Sequence, residues 1–243
     1  MKRIVLLLTI CSLLSAQMPF PGFGLTHAVG GGGGGISLVC EAPLIGNGTG
    51  SITSGLVDCT GSSLTCFVAA GSAASKVTVN ATVSDSTSLT PYTFVANSLS
   101  AQNGDIGLAY RTGITGSSVQ VFIMTGGSFS SGIGACFSGA MGTFDQGTNQ
   151  YAANTGTAST IQPASITPVH DNEIVIVVCA GAENTISVTS GVTTQYNTTF
   201  TGGVAISTAL GWIVQTTATA IQPTCTAGSS AAGSLEAGIG SFQ

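Results

Sequence analysis

Charge is what this chain of 243 residues has least of: charged side chains make up 5% of it, with four Lys and Arg against nine Asp and Glu. About a quarter is ordinary for a globular protein. Without a basic patch there are no cations to displace counterions from phosphates, which excludes nucleic acid as a partner. An anionic membrane surface would repel such a chain. Histidine, the usual proton carrier near neutral pH, occurs twice, as His27 and His170, and neither is set in a triad. No cysteine pair has the CxxC spacing of a zinc site. No Gly-x-Ser-x-Gly elbow presents a nucleophile, and Ser138 in Phe-Ser-Gly-Ala is one serine among many. The glycine run Gly30 to Gly35 lacks the Lys and Ser or Thr that complete a phosphate loop. These absences leave no catalytic, cofactor or metal residue to name, and the expectation is a protein that is not an enzyme.

What is present begins with a secretory signal. Met1-Lys2-Arg3, the apolar run Ile4 to Leu14 and Ser15-Ala16-Gln17 follow its basic, apolar and small-residue order. The run is too short for a bilayer core that needs about twenty residues. Residues 1–16 are therefore expected to be removed, leaving a secreted or cell-surface chain with no membrane insertion of its mature part. Cleavage also removes Lys2 and Arg3, so Lys76 and Arg111 are the only firm positive charges left. Residues 17–35 read as an N-terminal arm ending in a glycine linker whose backbone entropy opposes regular structure. Residues 36–243 read as one domain.

Six cysteines remain after processing: Cys40, Cys59, Cys66, Cys136, Cys179 and Cys225. An even number in an exported chain is compatible with up to three disulfides, and the sequence leaves fifteen full pairings open. The best local candidate is Cys59 with Cys66, facing each other across a tight turn at Ser62-Ser63. Cys136 in Gly-Ala-Cys-Phe and Cys179 in Val-Val-Cys-Ala look instead like buried thiols acting as small hydrophobes.

From Ile36 onward, short apolar or alternating runs are separated by Gly, Ser, Asn, Asp and Pro, at the spacing of an all-β sandwich or barrel. Lys76 to Val83 alternates, with Val77, Val79, Ala81 and Val83 on one face. Ser118 to Thr125 alternates too, Val119, Val121 and Ile123 against Gln120, Phe122 and Met124, which suggests a central strand covered on both faces. Glu173 to Ala180 is continuously apolar and β-branched and reads as a core strand buried on both faces. Weaker strands fall at 36–40, 51–57, 64–70, 92–97, 106–111, 133–138, 185–189, 204–215 and 232–242. About twelve strands point to a two-sheet antiparallel β-sandwich, jelly-roll-like.

Asp145, Asp171 and Glu173 are candidates for a carboxylate pair or a calcium site, although turn capping is the simpler use of such residues. Lys76 is a candidate for an internal isopeptide bond, with a solvated lysine as the ordinary alternative. Asn47, Asn80 and Asn197 open glycosylation triplets. Tyr92, Tyr110, Tyr151 and Tyr196 are the polar aromatics available to a sugar.

Several segments together, among them Gly55 to Ala69, Thr82 to Ser86, Ala135 to Gln146, Thr160 to Pro168 with Asn172 to Val175, and Thr216 to Ala220, resemble a group of uncharacterised secreted or virion-associated β-sandwich proteins of environmental bacteria and phages. The resemblance implies the fold and carries no activity or catalytic residue. This chain departs from the group in its Asp-Ser segment and in having more cysteines, which implies disulfide reinforcement outside the cell. The function expected is an extracellular structural or adhesive protein, with self-association by strand addition; a module binding a surface glycan or receptor is the alternative.

Overall fold

The computed structural model describes residues 35–45, 49–75, 82–87, 90–97, 105–139, 143–148, 160–181, 185–189, 192, 194–200, 206–228 and 235–243. The signal, most of the arm, His27, Lys76, Asn47, Asn80 and Tyr151 lie outside them. Among the described residues the protein is all-β, with antiparallel strands throughout and no helix.

The first sheet holds β1 (Ser37–Ile45), β2 (Thr49–Ser54), β3 (Gly61–Ser75), β4 (Thr82–Asp85), β5 (Thr93–Asn97), β6 (Asp105–Gly116) and β7 (Phe122–Ser138). The second runs β12 (Thr194–Phe200), β13 (Ile206–Gln215), β10 (Glu173–Gly181), β15 (Leu235–Phe242), β8 (Phe144–Thr148). A third, small sheet is β11 (Ile186–Thr189), β14 (Thr224–Ala227), β9 (Thr160–Ile161). The described strands thus number fifteen, in three sheets rather than two.

Strand β7 organises the first sheet. Its N-terminal half pairs with β2 and β4, so that Met124 lies opposite both Ile52 and Val83. Its C-terminal half pairs with β1 and β3. The two halves curl over one another, and the Phe122 ring occupies the space a side chain at position 134 would need. Gly134 is required there because only a bare backbone admits the ring. Of the two faces expected to be covered, that of Gln120, Phe122 and Met124 is buried, while Val119 on the other is 58% exposed. The central placement expected for this segment holds, yet one 17-residue strand joins what the sequence suggested were two. Of the segment 204–215 read as a strand, Ile206–Gln215 forms β13, and its first two residues lie outside the described ones. Strands β8, β9, β12 and β14 had no clear signature, being short, Thr-rich or interrupted.

Three apolar layers result. The first is enclosed by the curled sheet and contains Leu44, Cys66, Val68, Val83, Phe122 and Met124. The second lies between the first and second sheets, where Phe67, Ile133 and Phe137 meet Ile174, Ile176, Trp212 and Phe242. The third separates the second sheet from the small one: Val175, Val177 and Ile239 pack on Ile186, Val188 and Ala227. Alternate residues of β10 therefore enter different layers, and all nine are buried, as its unbroken apolar run predicts.

The middle layer is a wedge. At its wide end Phe67, Phe137, Trp212, Tyr110, Phe144 and Phe242 form an aromatic cluster with tilted and edge contacts, the preferred geometry for ring quadrupoles. At its narrow end Gly71 lies against Ala180 and Thr208. There the Ser131 and Thr208 hydroxyls hydrogen-bond across the sheets at 2.6 Å.

Candidate functional site

All six cysteines among the described residues are paired: Cys40–Cys59, Cys66–Cys136 and Cys179–Cys225. The expected Cys59–Cys66 hairpin pair does not form. Ser63 does take a left-handed backbone, φ 55°, but it makes a bulge in β3, where the register against β6 shifts between Gly61 and Leu64. The chain continues through it instead of turning back. Cys136 and Cys179, read as free thiols, are bonded as well. Cys66 and Cys136 are direct partners across β3 and β7, and Cys40 is the direct partner of Cys136 on the other side, across β1 and β7. Three cysteines thus form a row across adjacent strands on one face. Cys59 reaches it from the segment before β3, held by a backbone bond from its N–H to Ser117 O at 2.9 Å.

This row is the densest cluster of reactive side chains among the described residues. The Sγ atoms of Cys40, Cys59 and Cys136 lie within 4.8 Å of one another, and all four cysteines are buried. The Gln120 side chain, fully buried, donates from Nε2 to Cys136 Sγ at 3.7 Å. Its Oε1 has no hydrogen-bond partner among the described residues. With the sulfurs bonded in pairs, the cluster is a covalent lock with no thiolate to offer a metal. The alternation placed Gln120 on a face expected to be covered, but nothing in the sequence pointed to its contact with a cysteine.

The carboxylates of Asp145, of Asp171 and of Glu173, the buried first residue of β10, do not converge. Asp145 Oδ2 accepts the N–H of Val169 at 2.9 Å, Asp171 Oδ1 that of Ala218 at 2.7 Å, and Glu173 Oε1 that of His170 at 2.8 Å. Each caps a different backbone group, the ordinary turn use of such residues. Between them Asn172 takes a positive φ of 64° and donates its N–H to Gln215 O, closing the turn into β10.

Asp85 and Tyr92 form a buried polar pair that the sequence did not single out. Tyr92 donates its hydroxyl to Asp85 Oδ2 at 2.6 Å, and Thr87 donates both N–H and hydroxyl to Oδ1. Burial, with the Asp85 charge second, holds the Tyr92 phenol far above its ordinary pKa. The pair ties β4 to the start of β5 and is buried. Tyr92 is buried, and Tyr110 is partly buried in the aromatic cluster. Ser138 shares a hydrogen bond with Ser37 at 2.9 Å and has no base beside it in that contact.

Comparison with family models, with curated proteins and with solved structures finds no match for this chain. Function must therefore be argued from its own geometry.

Proposed function

We propose that this chain is an extracellular structural or adhesive protein, a surface, filament or virion-appendage subunit that self-associates by strand addition. The observation that carries the reading is the contrast between β12 and the other sheet edges. Open edges invite pairing with another chain, and monomeric proteins blunt them with bulges, charges, prolines or shortness. Strand β1 has a bulge, Glu41 and Pro43. Strands β5 and β8 carry or face bulges, and Asp145 lies in β8. Strands β9 and β11 have two and four residues.

Strand β12 has none of these devices. Its sequence, Thr-Gln-Tyr-Asn-Thr-Thr-Phe, holds no charge and no proline. It pairs with β13 in an unbroken seven-residue register, and no described strand hydrogen-bonds to its other side. A second copy adding a strand there would gain main-chain hydrogen bonds. Three buried disulfides suit an oxidising compartment, and among the described residues no helix is long and apolar enough to cross a membrane. The finer fold belongs to the same reading: the curled and five-stranded sheets make a jelly-roll-like sandwich, with the small sheet as an added layer.

Sedimentation velocity over a range of concentrations tests it. The wild-type chain is expected to form larger species as concentration rises, and Asn197→Lys with Thr198→Lys to remain monomeric. A wild-type monomer at every concentration would remove the proposal.

A further inference from the structure

We propose that Cys136 is the exchange centre of the four-cysteine cluster, so that breaking Cys40–Cys59 transfers the neighbouring disulfide instead of leaving a free thiol at Cys40. Thiol–disulfide exchange needs a thiolate within reach of a disulfide sulfur and an open line of approach. The row supplies the reach, and it sets Cys40 and Cys66 on opposite sides of Cys136. Cys136 is the direct cross-strand partner of Cys40 as well as of Cys66, and its sulfur lies within 4.8 Å of those of Cys40 and Cys59. The Gln120 Nε2 donor holds that sulfur from one side.

The step balances without an outside oxidant or reductant. When Cys59 is absent, the Cys40 thiol loses its proton to solvent and its sulfur attacks Cys136 Sγ. A Cys40–Cys136 bond forms, the Cys66–Cys136 bond breaks, and Cys66 leaves as a thiolate that takes up a proton. One disulfide and one thiol exist before and after. The middle and third layers take no part: the remaining bond, Cys179–Cys225, lies in a different apolar layer.

The experiment uses the full chain carrying Cys59→Ser, purified at pH 5 and then shifted to pH 8.5. Samples are quenched with acid, alkylated without reduction, digested and mapped by mass spectrometry. The expected result is that alkylation moves from Cys40 to Cys66, with a Cys40–Cys136 peptide appearing, at a rate rising about tenfold per pH unit while the thiol is mostly protonated. A label that stays on Cys40 with Cys66–Cys136 intact would overturn the proposal. If Cys59→Ser does not fold, Cys40→Ser serves instead, because the Cys59 sulfur is also within reach of Cys136. There the label is expected to move from Cys59 to Cys66, and persistence on Cys59 contradicts it.

Discussion

The middle apolar layer and the two outer ones are held together by different means. The middle layer contains no cysteine and gathers the aromatic cluster, Phe67, Phe137, Trp212 and Phe242 among it. The outer layers contain all six cysteines of the described residues and close over with short strands or the curled end of a sheet. Where large rings from two broad sheets meet, area burial suffices. Where strands of two to four residues must be held down, as in β9, β11 and β14, little area is available and such short sheets are marginal alone. A covalent tie between Cys179 of β10 and Cys225 of β14 compensates by restricting the unfolded chain.

Breaking the middle layer should have the largest effect. Phe67 is fully buried and contacts both Phe137 and Phe242; Phe67→Ala should lower unfolding stability by about 3–5 kcal/mol, read from denaturant midpoints. A loss under 1 kcal/mol, on the order of an exposed substitution, would show that the rings are not what joins the sheets. Next comes the tie of the outer layer. Cys179→Ala with Cys225→Ala should remove about 2–4 kcal/mol, and hydrogen exchange should rise in β9, β11 and β14 before it rises in β10 and β13. Equal acceleration everywhere would erase the distinction between layers.

Smaller still is Tyr92→Phe, which strips a donor from the buried Asp85 carboxylate and should reduce stability by about 1–3 kcal/mol. The pH dependence has a definite sign. Because the folded state holds the Tyr92 proton more tightly than the unfolded state does, its contribution is complete below the ordinary tyrosine pKa of about 10. It declines as pH climbs from there toward the raised folded value. Wild-type stability should thus fall more steeply above that pH than the stability of Tyr92→Phe. Parallel curves would contradict the buried pairing. The smallest effect on stability belongs to the β12 lysines, within about 0.5 kcal/mol, although their effect on assembly should be complete.

Legibility in the sequence followed the same division. The β-branched run of β10 announced a strand buried on both faces because burial on both sides demands apolar residues at every position. The 118–125 alternation announced a strand but not its inner face, because the curl of β7 was set by Gly134 and Phe122, twelve residues apart. The six cysteines were visible as disulfide material. Their pairing was not, since it depends on β1, β7 and β3 being neighbours and on β14 packing over β10, a matter of sheet arrangement rather than spacing. The carboxylates at Asp145, Asp171 and Glu173 were legible as turn caps. That β12 pairs on one side only among the described strands was hidden because an uncharged Thr-rich segment looks like its surroundings until its neighbours are known.

Hydrogen exchange of the wild-type chain at low and high concentration tests strand addition most directly. The account predicts that amides of β12 become protected as concentration rises, while those of the bulged edges β5 and β8 do not change. Exchange in β12 that is independent of concentration would contradict it.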